Sequence, residues 1–248
     1  INKFNWEKNI NIKIKYFYLW EKNYLNRVCL ARNKWVELSE SEYLFFIDQD
    51  TILHKNYFKN IKDFLNLDVI IWPYLWYNNL EKSLNQEDIN FFIKFWTIKK
   101  QNFSDFRINF YKEKQKNDRI WEFFCASNFF IKKEFYLSVW WFDETITSWG
   151  DEDVEFWYRL CESWYKINFL EDFKVLNISS KLYKYPYKIL ENDKINSLSE
   201  NWLKNLKKHK NKKYLNYVLD RYNNLDLQEK ELVWEKFKEF IKWLKKIY

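Results

Sequence analysis

The chain has 248 residues, a net charge of +7, 47% apolar and 23% aromatic residues, one glycine, no methionine and three cysteines. That length suits one large domain or a domain with an appendage, and no apolar run approaches the roughly 20 residues that span a membrane. Cys29, Cys125 and Cys161 are too few and too widely spaced for a disulfide framework or a zinc site, and the basic balance favours anionic partners such as nucleotide sugars, acidic lipids or nucleic acid. In chain order, residues 10–14 alternate with period two and predict a strand. Residues 26–38 place Val28, Cys29, Ala31, Trp35, Val36 and Leu38 on a helix face. Tyr43–Ile47 is a continuous apolar run, as in a strand buried on both faces of a parallel sheet. It ends in Asp48-Gln49-Asp50. Open α/β sheets bind ligands at the carboxyl ends of their strands. Two carboxylates at i, i+2 can hold a hard divalent cation there, and the cation can hold a diphosphate. Residues 57–65 predict an amphipathic helix, and 68–72 a second buried strand stopped by Pro73. Residues 78–117 read as a peripheral insertion, and 123–131 as an apolar segment containing Ser127-Asn128.

The densest chemistry lies in Trp149-Gly150-Asp151-Glu152-Asp153, three carboxylates in a row beside the only glycine. An amphipathic helix follows, carried by Val154, Phe156, Trp157, Leu160 and Cys161. Carboxylates at a helix start are favoured by its dipole. A cap needs one of them, not three. Residues 166–169 and 174–178 predict short closing strands. From about Leu182 the chain is basic and polar, with six lysines between Lys204 and Lys213. Residues 229–248 form an amphipathic pattern of Leu232, Val233, Phe237, Phe240, Ile241 and Leu244, whose expected fate is packing on the domain. There is no internal repeat.

Three ordered motifs resemble the GT-A glycosyltransferases of family 2 and the galactosyltransferase-like enzymes. Ala31-Arg32-Asn33-Lys34-Trp35 resembles their Ala-Arg-Asn-x-Gly run, and Asp48-Gln49-Asp50 their Asp-x-Asp. Phe142-Asp143-Glu144, Trp149-Gly150, Glu152-Asp153 and Arg159-Leu160 match their acceptor-side motif. The resemblance covers about residues 10–178 and implies an α/β fold of GT-A type, a Rossmann-like mixed sheet flanked by helices. Residues 1–180 would form that domain without its first strand, and 181–248 a basic helical C-terminal extension. The implied activity is inverting transfer of a sugar from a nucleotide-diphospho-sugar to a glycan, lipid-linked or other hydroxyl acceptor. The resemblance assigns the base to Asp153 and acceptor contacts to Glu152, Trp149, Gly150 and Asn128. It assigns donor contacts to Arg32, Asn33, Asp48 and Asp50, with Mn²⁺ or Mg²⁺ on Asp48 and Asp50. Asp151 falls at its variable position and is expected to face solvent. The family's downstream metal-ligating His has no counterpart near Val175–Asn177, and neither His54 nor His209 is assigned a role. The expected location is the cytoplasm, with the basic tail a candidate for peripheral contact at the inner face of the membrane. A non-catalytic carbohydrate-binding module on the same fold is the alternative. A basic nucleic-acid binder would rest on charge alone, without a motif.

The family's glycines are missing where the motifs match. Trp35, Trp140, Trp141 and Trp164 occupy those positions, and Trp121 is a further candidate. An average protein of this length has about 7% glycine, roughly 17 residues. This one has 1 glycine and 15 tryptophans, in a chain otherwise rich in residues with A/T-rich codons. The expectation is an alternative genetic code in which UGA means glycine, applying to Trp35, Trp140, Trp141, Trp157 and Trp164. Trp149 is expected to be a true tryptophan. The lack of an initiator Met implies a fragment that begins mid-gene, with any targeting segment upstream of it.

Overall fold

The computed structural model describes residues 28–48, 51–53, 57, 62–72, 74–76, 87, 89–90, 94, 119–123, 126, 128–148, 150–171, 175–177 and 187–247. The strand predicted at 10–14, most of the 78–117 insertion, Gln49, Asp50 and Trp149 lie outside them. Helix α1 spans Val28–Leu38 and leads into strand β1, Tyr43–Ile47. Then come β2 (Thr51–Ile52), β3 (Val69–Ile71), β4 (Tyr74–Trp76) and β5 (Asn128–Lys132). Helix α2 (Lys133–Ser138) follows at once, then α3 (Glu152–Glu162), β6 (Ile167–Phe169) and β7 (Val175–Asn177). Three helices close the chain: α4 (Tyr187–His209), α5 (Lys212–Asn223) and α6 (Leu227–Ile247). Of the helix expected over 57–65, residues 62–64 form a single 3-10 turn.

A four-stranded sheet runs β1-β5-β3-β6, and a three-stranded one β2-β7-β4. Both are mixed. β5 is antiparallel to β1 and β3, whereas β3 and β6 are parallel. β2 and β7 are antiparallel, and β4 and β7 parallel. This corrects the expectation for β1. It pairs antiparallel at the end of the described sheet, and only its Leu44 is fully buried. A run of apolar residues does not distinguish a central strand from an edge whose exposed face is aromatic. The central strands β3 and β5 carry the continuous burial instead.

Strand alternation splits the core. Val69, Ile71, Phe129 and Ile131 face the main cluster, with Phe156, Trp157 and Leu160 of α3. Ile70 and Phe130 face a smaller cluster with Tyr57, Trp72 and Val175. Trp202, Leu206, Tyr214, Tyr217, Val218, Phe237 and Phe240 of the C-terminal helices join the main cluster. The tail thus shares the core of the sheet. Among the described residues no helix is long and apolar enough to cross a membrane.

Helices α2 and α3 end alike. After α2, Trp140 N–H bonds to the Leu137 carbonyl and Trp141 N–H to that of Tyr136. After α3, Trp164 N–H bonds to the Cys161 carbonyl and Tyr165 N–H to that of Leu160. Both are Schellman motifs, which require a left-handed residue after the cap and usually use glycine. The residues there are Trp140 (φ 64°) and Trp164 (φ 67°), and Trp141 is also left-handed at 62°. Their side chains escape crowding, since Trp140 and Trp164 are 87% and 93% exposed. Overpacking at these two positions, expected if an indole replaces a hydrogen, therefore does not occur. The strain is confined to the backbone.

Candidate active site

The site begins at a turn only glycine can make. Gly150 has φ 92°, and a Cβ on it would meet Leu198 Cδ1 at 3.1 Å. Asp151 follows in the left-handed region and takes the N-cap position of α3, yet its side chain makes no cap bond. Asp153 accepts the Val154 N–H at 2.8 Å. Glu152 pairs with Arg32 Nη1 at 3.4 Å, joining α3 to α1, and the Arg32 guanidinium lies 4.8 Å over the Phe142 ring. Loss of solvent around the Asp153 carboxyl, followed by the adjacent charge of Glu152, raises its pKa to about 7 against the counter-pull of Arg32. A carboxyl so placed can exchange a proton near neutral pH.

Several expected site residues are placed differently. Asp151 does not face solvent. It is 3% exposed, and its carboxylate accepts from Tyr214 Oη (2.6 Å), Tyr217 Oη (2.6 Å) and Asn205 Nδ2 (2.8 Å). Burial pushes its pKa up to about 6, although these three bonds pull it down. Asn33, expected at the donor, is buried with its amide fully engaged. Nδ2 donates to the Phe142 carbonyl (2.8 Å) and Glu144 Oε1 (2.9 Å). Oδ1 accepts from Phe142 N–H (3.0 Å) and Tyr136 Oη (2.7 Å). It therefore holds the Phe142-Asp143-Glu144 turn and has no group left for a ligand.

Asn128, expected near the acceptor, sits opposite Ile47 at the carboxyl end of β1. It donates to the Trp72 carbonyl at 3.2 Å. Its Oδ1 is buried without a hydrogen-bond partner among the described residues, as is Thr51 Oγ1. Thr51 N–H bonds the Asp48 carbonyl at 3.1 Å. Carboxylate oxygens such as those of Asp48 suit Mg²⁺ or Mn²⁺. Among the described residues no group of three His, Cys, Asp or Glu side chains converges as a metal site. Asp50 and Trp149 lie outside those residues.

The structure adds residues that sequence reasoning missed. Glu155 is fully buried and bonds Arg159 (2.7 Å), Lys208 (2.7 Å) and His209 (3.1 Å). Burial works to raise its pKa, but hydrogen bonds from His209 and Arg159 and the charges of Arg159 and Lys208 hold it well below the carboxylate range. Lys208 also reaches Asp143 at 2.8 Å. Arg159 donates to the Val139 and Trp141 carbonyls, fastening the left-handed turn to α3. Asn201 Nδ2 donates to the Gly150 carbonyl at 2.6 Å. The Glu155–Arg159 pair was legible from its i, i+4 spacing. The hydroxyls of Tyr214 and Tyr217 carried no signal, because an inward tyrosine reads like any aromatic core residue. A surface hollow of about 290 Å³ lies at the far end of α3, lined by Ser138, Trp140, Tyr158, Arg159, Glu162 and His209. An 11-residue helix puts that end about 16 Å from the carboxylates.

The sequence matches the family model described as glycosyltransferase-like family 2 over residues 8–188. Among solved structures it is similar to the crystal structure of S. aureus TarS, with 16% identity and a TM-score of 0.39, covering 81% of this chain and 37% of that one. The chain thus spans little more than a third of that relative's length. No curated protein matches it. The family model covers well over half of the chain, including all three motifs. The chain belongs to glycosyltransferase-like family 2, and its mixed sheet with flanking helices is of α/β class.

Proposed function

We propose that this chain transfers a sugar, with inversion, from a nucleotide-diphospho-sugar to a hydroxyl of a glycan or lipid-linked acceptor. The observation that carries the reading is the placement of Asp153 beside Glu152 in the first turn of α3, with Glu152 held by Arg32. The acceptor oxygen bonds to the anomeric carbon as the bond to the diphosphate breaks, and its proton passes to Asp153. A positioned base of this kind contributes about 10²–10⁴ in rate. Glu152 and the Gly150 backbone bind acceptor hydroxyls, Trp149 offers its ring face to the acceptor sugar, and Asn128 lies between acceptor and donor. Of the four residues expected at the donor, Arg32 makes its described hydrogen bond to Glu152 Oε1 and lies over the Phe142 ring.

Asp153→Asn keeps shape but removes basicity. It should reduce turnover at least a hundredfold while leaving donor affinity unchanged. Retention of more than about a tenth of the rate would refute the base. Because the base must be ionised, the wild-type rate should fall as pH drops below about 7. Asp48 and Asp50 would hold Mn²⁺ or Mg²⁺, which when bound neutralises the leaving diphosphate. Asp50→Ala should weaken UDP-sugar binding in calorimetry only when metal is present. An equal loss with and without metal contradicts that assignment.

The working enzyme carries glycine at positions 140, 141 and 164, encoded by UGA read as glycine. The support is three left-handed backbones, two of them in motifs that use glycine. Reading the codons tests it, and UGG at all three positions would end the idea. The support does not extend to Trp35 and Trp157, which sit in helical backbone.

A further inference from the structure

The three carboxylates of Asp151-Glu152-Asp153 do different work. Glu152 faces α1, where it meets Arg32, and Asp153 accepts the Val154 N–H. Asp151 is turned into the C-terminal helices. Asp151 stands at the N-cap of α3 but leaves the helix N–H groups uncapped by its side chain. Its backbone is left-handed (φ 67°), a conformation that a non-glycine residue holds only when its surroundings enforce it. Those surroundings come from α4 and α5. Asn205 of α4 and Tyr214 and Tyr217 of α5 take both carboxylate oxygens. Asn205 also donates to Tyr214 Oη at 3.1 Å, so the donors are linked to one another. Tyr214 and Tyr217 are fixed against Trp121 by ring contacts at 5.5 and 5.0 Å. One residue earlier, Asn201 holds the Gly150 carbonyl, and a Cβ at Gly150 would press on Leu198 Cδ1 at 3.1 Å. Gly150 and Asp151, the two residues before Glu152, are therefore both held by helices far along the chain.

We infer that α4 and α5 form a clamp that aims the carboxylate pair, with Asp151 as the positioning residue and Tyr214, Tyr217 and Asn205 as its grip. The inference rests on Glu152 and Asp153 serving transfer as proposed above. It also explains why the tail packs where it does. The turn at φ 92° and 67° has two soft dihedrals per residue, and its one bond into the helix is from Glu155 N–H to the Asp151 carbonyl at 3.1 Å. Without the grip the first turn of α3 can fray, and Glu152 and Asp153 lose their fixed directions while the buried Phe156, Trp157 and Leu160 hold the rest of the helix.

The test uses the full chain with glycine at 140, 141 and 164. Tyr217→Phe, Tyr214→Phe and the double variant each remove hydroxyls while keeping the rings and the core. Turnover is followed as nucleoside diphosphate release with whichever of UDP-glucose, UDP-galactose, UDP-N-acetylglucosamine and GDP-mannose is used. The double variant should lose at least tenfold in kcat with donor and acceptor KM within twofold, at a temperature well below its Tm. A kcat within threefold of the parent, or a loss that falls on KM, overturns the clamp. A second reading does not need turnover. Amide hydrogen exchange over residues 152–156 should quicken at least tenfold in the double variant, while exchange in β5 stays the same. Unchanged exchange at 152–156 overturns the clamp whatever the activity. Asp153→Asn separates the two ideas, since it should abolish transfer without altering that exchange.

Discussion

At the scale of single residues, backbone conformation separates tryptophans that strain the chain from those that support it. Trp140, Trp141 and Trp164 sit at φ 64°, 62° and 67°. A left-handed backbone costs a residue with a Cβ about 1–2 kcal/mol relative to the normal basin. Glycine there should stabilise by about 1 kcal/mol per site, because part of the gain is returned as entropy of the unfolded chain. Trp157 is different. It is helical, fully buried, and packed edge-on against Phe129 at 4.8 Å. Trp157→Gly in this packing would open a void and should cost about 3–5 kcal/mol, as large aromatic truncations do. Chemical denaturation of the four single variants checks both signs. A loss of stability from glycine at 140 or 164 would contradict the reading of the turns.

At the scale of the element, α3 is held at both ends and along one side. Its first turn carries the candidate base, and its last leads into the Schellman turn at Trp164. In between, Glu155 ties it to α4 through Lys208 and His209. Removing one partner of a buried ion pair leaves the others uncompensated and costs about 3–5 kcal/mol. Glu155→Gln should lose that much at pH 7. The sign of its pH dependence follows from its depressed folded pKa. The stabilisation is present above the unfolded value of about 4.5 and is lost as pH falls below it. The gap between wild type and Glu155→Gln, measured by urea unfolding, should therefore narrow as pH falls below 4.5. A gap that persists unchanged at pH 3.5 would show that packing, not charge, is what Glu155 supplies.

At the scale of the molecule, the C-terminal helices are part of the body that carries the sheet. Trp202, Leu206, Tyr214, Tyr217, Val218, Phe237 and Phe240 are buried in the same cluster as the sheet. Burying one such side chain contributes about 1.5–3 kcal/mol, and a whole domain is stable by only about 5–15 kcal/mol. Ending the chain at residue 186 should therefore abolish cooperative unfolding, and the product should bind a hydrophobic dye or aggregate. A soluble truncated chain with a sharp thermal transition would show that the sheet stands without its tail.

Much of this could be read from the sequence, because it depends on local order. The apolar run of β1, the period of α3, the amphipathic face of α6 and the three motifs gave the element types and the family. Gly150 stood out as the one glycine in the chain, and its φ of 92° is a conformation that favours glycine. Tertiary structure decided what depends on partners distant in the chain. Strand direction was one such property, since a five-residue apolar run is compatible with either parallel or antiparallel neighbours. The fate of Asp151 was another. In sequence it is one of three equivalent carboxylates; in the fold it is the one that meets Asn205, Tyr214 and Tyr217, more than fifty residues away. Asn33 likewise changed from a candidate ligand contact to the peg of a turn more than a hundred residues later. A carboxylate or an amide has the same hydrogen-bonding capacity wherever it stands. Only packing determines whether that capacity faces a substrate or another part of the chain.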